Sequence, residues 1–350
     1  MSSRITRRIG AIVALGVSGV VLAGATGWGA LALYYLAPGS EGVRTALAWS
    51  FAALGLVTLA GLAVRRLRWW AALGFAAAFG LVLVVWGSTT PSNDRDWAPE
   101  VAVLPYATID GERVTVHNIR NFDYRTETDF TPAYYDRTFD LKRLDRVDLV
   151  AVYWMGPAIA HLFLTFGFGD EHLAISIEVR KNRTKPYATL PGIFRQYELV
   201  YVVADERDVI GVRTGPRSET VQLYRVRGAA DKGRALLLDY VKEINAIADR
   251  PRWYNALTQN CTTTIWLHTK AVGSGPSIDW RLLANGYLPD LAYERGTVNT
   301  TLGLEELKSR SDITARTRAA SAGEDFSRAI REELPPRPAN GSPDVATRLP

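Results

Sequence analysis

Cys261 is the single cysteine of the 350-residue chain, and it stands in Gln259-Asn260-Cys261-Thr262-Thr263-Thr264, where a turn gives way to a predicted helix. A lone cysteine forms no intramolecular disulfide, and one thiol among four scattered histidines is a poor structural metal site. No metal or cofactor is therefore expected. Two readings remain, a buried core thiol and a nucleophile, and position favours the second. The helix read over Thr262-Thr263-Thr264-Ile265-Trp266-Leu267-His268 aims its free N–H groups and positive dipole end at the sulfur. That placement lowers a thiol's pKa and stabilises thiolate.

Thiol chemistry needs a base and a group that orients the base. His161-Leu162-Phe163-Leu164-Thr165-Phe166-Gly167-Phe168 and Glu171-His172-Leu173-Ala174-Ile175-Ser176-Ile177-Glu178-Val179 read as two strands joined by Gly169-Asp170. A two-residue turn there sets His161 opposite Glu178, on one face of the hairpin. His161 is thus the expected base and Glu178 its orienting carboxylate. His172 is the alternative histidine, beside the turn and expected to be solvated. His117 falls in an earlier hairpin. His268 lies two helical turns past Cys261, roughly 10 Å by helical rise, too far to take its proton.

These residues need a scaffold, and the pattern predicts an α+β domain over residues 91–318: a mostly antiparallel sheet with helices packed at one side. Val101–Arg120 reads as a hairpin turning at Asp110-Gly111. Asn121–Lys142 reads as loop, and Val147–Tyr153, Glu198–Val203, Val209–Arg213 and Thr220–Arg225 as strands. Lys232–Ala248 is amphipathic and helical. From Ala319 to Pro350 the chain is rich in Ala, Ser, Arg and Pro and is expected to be a disordered tail.

Residues 1–90 predict where the chemistry happens. Three uncharged apolar runs, at about 9–37, 46–64 and 69–87, are each long enough for the roughly 20 residues that cross a bilayer core. Arg4, Arg7 and Arg8 precede the first run, and Arg65, Arg66 and Arg68 separate the second from the third. The positive-inside bias puts these arginines in the cytoplasm and everything after Gly87 outside. Ala23-Gly24-Ala25 also allows a cleaved signal peptide, although the apolar stretch continues well past it. The net charge of +5 is inflated by arginines flanking the helices and in the tail. No basic run is interleaved with aromatics, so nucleic acid is not an expected partner.

His161-Leu162-Phe163-Leu164-Thr165-Phe166-Gly167-Phe168 and Leu173-Ala174-Ile175-Ser176-Ile177-Glu178-Val179-Arg180, with Phe194-Arg195-Gln196-Tyr197-Glu198-Leu199 and Tyr254-Asn255-Ala256-Leu257-Thr258-Gln259-Asn260-Cys261-Thr262-Thr263, resemble the Lnb N-terminal periplasmic domain family over roughly Val114 to Arg310. That family resembles circularly permuted papain-like enzymes of the NlpC and lecithin:retinol acyltransferase type, in which His precedes Cys. The order His161, Glu178, Cys261 fits the permutation, although those acyltransferases often have a second histidine where this chain has Glu178. The resemblance implies bacterial lipoprotein N-acylation, in which a fatty acyl group from a membrane lipid passes through a cysteine thioester to a lipoprotein amine. The membrane spans come from hydropathy alone, and the two readings together predict a multi-pass inner-membrane protein with a periplasmic catalytic domain.

Physical chemistry adds candidates. The Cys261 N–H, with Gln259 or Asn260 as second donor, suits an oxyanion. Arg180, Arg195 and Gln196 are candidates for meeting a lipid phosphate or carboxylate. The alternatives are a cysteine amidase or peptidase cleaving cell-wall peptides, and a non-enzymatic membrane-anchored binding domain.

Overall fold

The three apolar runs form three helices in this computed structural model, which describes residues 2–228, 230–320 and 325–338, with side chains 2–15 excepted. They are α1 (Ser2–Leu36), α2 (Glu41–Ala63) and α3 (Arg68–Ser88). Ser40 caps α2 by accepting from the Val43 N–H. The stretches Gly16–Leu36, Glu41–Ala63 and Arg68–Ser88 are long and apolar enough to cross a membrane. Helices in lipid associate through close packing at small residues. Gly55 does this for α1 and α2: a Cβ there would lie 2.3 Å from the Thr26 side chain.

One short segment from far along the chain joins this helical unit, which comprises Met1–Pro91 and Ala188–Gln196. The segment contains α4 (Thr189–Ile193). Phe194 follows it and is buried, with its ring centroid 5.5 Å from Tyr35 and 6.3 Å from both Trp28 and Trp86. The Arg195 guanidinium lies 4.3 Å from the centre of the Trp86 ring and donates to the Trp86 carbonyl. Gln196 Nε2 donates to the carbonyls of Tyr35 and Phe194.

The second unit, Ser92–Tyr187 with Tyr197–Pro350, is mixed α+β. Its strands are β1 (Tyr106–Asp110), β2 (Arg113–Arg120), β3 (Asp123–Tyr124), β4 (Phe130–Thr131), β5 (Tyr134–Asp140), β6 (Arg146–Tyr153), β7 (Ala160–Phe168), β8 (Glu171–Arg180), β9 (Glu198–Ala204) and β10 (Thr220–Arg225). Its helices are α5 (Glu206–Thr214), α6 (Ala230–Asp249), α7 (Cys261–Ala271), α8 (Leu288–Glu294), α9 (Leu304–Ser311), α10 (Thr314–Ala319) and α11 (Phe326–Ala329). The main sheet runs β1-β2-β9-β8-β7-β6-β10, with β5 on β2, and its pairs are antiparallel except β2 with β9. β7 and β8 pair as the turn predicts, Phe168 with Glu171 through Phe163 with Ser176. Gly169 at that turn has φ of +70°, a conformation that favours glycine.

Central strands are covered on both faces, which explains why β7 is apolar with little alternation. Leu164, Phe166, Leu173, Ile175 and Tyr201 share one core cluster with Leu237, Tyr240 and Ile244 of α6 and with Cys261. Phe163, Ala174, Val200 and Val202 share the other with Val209 and Ile210 of α5 and Phe326 of α11. Fully burying one such side chain contributes about 1.5–3 kcal/mol.

Three expectations change. Val209–Arg213 is helical, within α5, because Asp205 caps that helix by accepting from the Arg207 N–H and the buried side chains then meet the sheet at helical spacing. Asn121–Lys142 is not all loop: it holds β3, β4 and β5, and β5 gains its ladder from β2, a partner no local signal reveals. The expected disordered tail is ordered over residues 325–338, where Ile330 and Leu334 are buried. Arg331 fixes this segment to the sheet by pairing with the buried carboxylates of Asp148 (3.2 Å) and Glu206 (2.7 Å). Residues 321–324 and 339–350 of that tail lie outside the described residues.

Arg331→Met leaves buried Glu206 without its arginine, while Asp148 keeps Arg337 at 2.5 Å. Breaking one side of such a pair costs about 3–5 kcal/mol. Urea unfolding of the full chain in detergent should report a loss of that order. A midpoint equal to the wild type's would show that the C-terminal clamp does not stabilise the domain.

Candidate functional site

Cys261 is the first residue of α7, and the cap explains its environment. Asn260 Oδ1 accepts from the Thr263 N–H (2.9 Å), while Thr263 Oγ1 accepts from the Asn260 N–H (3.0 Å). The Thr264 N–H bonds the Asn260 carbonyl. The first N–H groups of a helix have no intrahelical acceptor, so those of Cys261 and Thr262 are left for an incoming oxygen. The far end of α7 is pinned by His268, whose Nδ1 meets Asp239 at 2.7 Å and whose Nε2 meets the Tyr201 hydroxyl at 2.7 Å. Its ring stacks 3.9 Å from Tyr240. His268 therefore holds α7 in place.

The sheet opens where the thiol needs it. β6 pairs with β7 as far as Ala160, but the β7–β8 ladder ends at Phe163 with Ser176. The first residues of β7 thus have a strand on one side only, and the start of α7 meets them. The Leu162 N–H donates to the Cys261 sulfur, and Thr262 Oγ1 is 3.8 Å from it.

His161, Ser176 and Glu178 share a face, Ser176 and Glu178 being alternate residues of β8. His161 Nε2 lies 2.7 Å from Ser176 Oγ and 3.0 Å from Glu178 Oε1. Ser176 Oγ donates to the same Glu178 oxygen at 2.9 Å, so Nε2 carries the proton toward this pair. Nδ1 is the ring nitrogen left for the thiol, to which His161 is hydrogen-bonded. From α5, Arg213 Nη2 donates to Glu178 Oε1 at 3.0 Å, and its Nη1 meets Glu219 at 3.3 Å.

The electrostatics follow from this geometry. Burial pushes the His161 pKa down, but the charges of Glu178 and Cys261 and the hydrogen bonds to both outweigh it, lifting the imidazole to about 9. Burial pushes the Cys261 thiol up, and the His161 charge, its hydrogen bond, the Leu162 N–H and the Thr262 hydroxyl pull it below its ordinary value. Glu178 is held well below the usual carboxylate range: His161, Arg213 and Ser176 overcome its desolvation. The arrangement favours thiolate beside imidazolium, a reactive nucleophile with its acid already loaded.

The structure brings together Cys261, His161 and Glu178, and it sends the other candidates elsewhere. Asn260 is not free to bind an oxyanion, because its carbonyl oxygen caps α7 and its Nδ2 donates to Ala256. Gln259 has its N–H and carbonyl engaged with Asn255. Arg180 is a buried staple, donating to Val101, Asn93 and Ala102 with its guanidinium 4.3 Å from the Trp97 ring centre. Burial lowers its pKa to about 10, and its donors are already engaged by these protein oxygens rather than left for a lipid phosphate. Arg195 and Gln196 bind the helical unit, as described above. His172 is at the opposite end of the hairpin from His161, half-buried rather than solvated, with Nδ1 against the Asp170 carbonyl. His117 pairs with Asp136. Two site residues escaped the sequence reading. Ser176 was available from the register, two residues before Glu178 on its face; Arg213 comes from another element and had no local signal.

The pH dependence has a definite sign. Alkylation of Cys261 by iodoacetamide follows the thiolate fraction, so its rate should rise at a pH below the roughly 8.5 of a free cysteine. Glu178→Gln removes the negative charge that supports imidazolium; the His161 pKa falls, the Cys261 pKa rises, and the profile should move to higher pH. An unmoved profile would show that Glu178 gives no charge support.

The family model described as the Lnb N-terminal periplasmic domain matches residues 130–286, a span that contains His161, Ser176, Glu178, Arg213 and Cys261. No curated protein and no solved structure matches the chain. Together with the three apolar helices, the match describes an inner-membrane protein with a periplasmic domain. Over residues 130–286 this chain is similar to the Lnb N-terminal periplasmic domain family.

Proposed function

We propose that this protein is a cysteine-dependent acyltransferase that N-acylates bacterial lipoproteins through an acyl thioester on Cys261. One observation carries the reading: a buried thiol at a helix start, coupled to a histidine that Glu178 and Ser176 orient, in a chain that also has three membrane-length apolar helices. The His-Glu-Cys order also suits the permuted papain-like arrangement that the sequence resemblance implies.

In the first half-reaction the Cys261 thiolate attacks the ester carbonyl of a membrane lipid. The Cys261 and Thr262 N–H groups stabilise the oxyanion. The C–O bond breaks, and the lipid alkoxide takes the His161 proton. In the second half-reaction the lipoprotein's amine attacks the thioester carbonyl, His161 accepts the amine proton, and the C–S bond breaks to return thiolate. Glu178 and Ser176 keep the imidazole aimed throughout. A wall-peptide amidase or peptidase would use the same groups; the apolar helices favour a lipid donor.

The orientation is part of the proposal: three crossings, with the arginines at 4–8 and 65–68 in the cytoplasm. A reporter fused after Gly87 should be active only in an extracytoplasmic assay, and cytoplasmic activity would reverse the orientation.

Intact-protein mass spectrometry after incubation with phospholipid should find a hydroxylamine-sensitive fatty acyl adduct on the wild type and none on Cys261→Ser. His161→Ala should lower transfer by about 10²–10⁴-fold, the range of a general acid–base group. Its loss should not add to that of Cys261→Ser, since the residues act as one unit. Lipoprotein N-acylation by Cys261→Ser at the wild-type rate would exclude the thioester route, and cleavage of wall peptide without acyl transfer would favour the hydrolase.

A further inference from the structure

A cavity of about 760 Å³ opens on the α7 side of the sheet. That is within the range of small-molecule sites. Its walls include Leu162 and Leu164 of β7, Leu236 of α6, Ile265 of α7 and Leu291 of α8.

Two features tie the cavity to the nucleophile. Its lining includes Leu162 and Thr262, the residues whose N–H and hydroxyl contact the Cys261 sulfur. Asn285 Nδ2 fixes the Thr262 hydroxyl at 2.7 Å. From there Thr262, Ile265, Trp266, Thr269 and Val272 line it, at the three- and four-residue spacing of one helix stripe. The cavity therefore follows α7 for about 15 Å, starting beside the thiol.

Three of the arginines that line the cavity are paired with carboxylates, Arg337 with Asp148 at 2.5 Å. Arg281 is paired with Asp279 at 2.9 Å and with Glu294 at 2.8 Å, and Arg146 with Asp145 at 2.7 Å. The segment that supplies Asp279, Arg281 and Leu282 to the lining also exposes Ile278 (81%), Trp280 (62%) and Leu283 (70%). Apolar side chains left in water at a cavity's border mark an interaction site for something apolar.

We propose that this cavity is the acyl-chain site: it holds the linear fatty acyl chain of the lipid donor alongside α7, with the ester carbon at Cys261, and its depth selects chain length. Ile278, Trp280 and Leu283 form the apolar border over which the chain enters. The inference rests on the acyl-transfer reading and adds to it where the acyl chain sits and what limits its length.

Two experiments on the full chain in detergent test it. Thr269→Phe and Ala292→Phe each fill the cavity from a different helix, away from the thiol. With palmitoyl and hexanoyl p-nitrophenyl esters as donors, mass spectrometry reads the rate of adduct formation on Cys261. Both variants should lose about tenfold or more with the palmitoyl donor, while hexanoyl transfer changes less than about twofold. Unchanged palmitoyl rates would overturn the site, as would equal losses with both donors in variants that keep the wild-type thermal midpoint.

The second experiment needs no cavity substitution. Cys261→Ala is mixed with phosphatidylethanolamine vesicles whose palmitoyl chain ends in a diazirine, then irradiated. Crosslinks to the peptides of α7 and α8 are expected; crosslinks only elsewhere, or none, overturn the proposal even if a cavity variant fails to fold. The two ideas fail separately. Crosslinks in the cavity with no adduct on wild-type Cys261 keep the site and remove the acyltransferase, whereas an adduct without cavity crosslinks does the reverse.

Discussion

A thiolate buried beneath a sheet edge is stable only where a positive charge and hydrogen-bond donors face it, and most of the local architecture follows from that requirement. His161 supplies the charge, but burial alone would drive its proton off. Glu178 restores it, and Glu178 stays ionised because His161, Ser176 and Arg213 surround it. Charge thus alternates along Cys261, His161, Glu178 and Arg213, each group keeping the next in its reactive or supporting state. Four elements, α7, β7, β8 and α5, must converge for this chain to exist.

The helix start is the second constraint. Asn260 is spent on the cap, and this is more useful to the thiol than a direct contact would be. The cap satisfies the Thr263 N–H and sets the first turn of α7, leaving the Cys261 and Thr262 N–H groups unclaimed. His268, Asp239 and Tyr201 then fix the other end of the helix. Early closure of the β7–β8 ladder opens the edge that the thiol meets. Any substitution that slipped this register by one residue would turn His161 and Glu178 to the opposite face.

The helical unit shows how a few polar and aromatic residues bind distant segments. Phe194 enters among Trp28, Tyr35 and Trp86, and Arg195 and Gln196 donate to backbone carbonyls at the ends of α3 and α1. Arginine suits this place, since a guanidinium can stack on an indole and hydrogen-bond at once. The segment Phe194-Arg195-Gln196 therefore serves architecture, although its residue types also suited a lipid headgroup.

Local pattern alone determined the apolar helices, the His161–Glu178 hairpin, α6, and the thiol at a helix start. Each is encoded by periodicity, a two-residue turn or a cap, interactions between residues close in the chain. The β7–β8 register was legible because its turn is short, and with it the His161–Glu178 pair. What the sequence left open depends on partners remote in the chain. Val209–Arg213 reads as a strand until Asp205 caps it and the sheet receives its buried face. Tyr134–Asp140 is a strand because β2 lies beside it, and residues 325–338 are fixed where Arg331 and Arg337 find Asp148 and Glu206 and where Ile330 and Leu334 are buried. Arg180 and Arg195 look like surface cations in the sequence; the carbonyls and indoles that engage them are assembled by tertiary structure. Long-range burial and charge pairing decided these cases, because their energies come from neighbours that no local window contains.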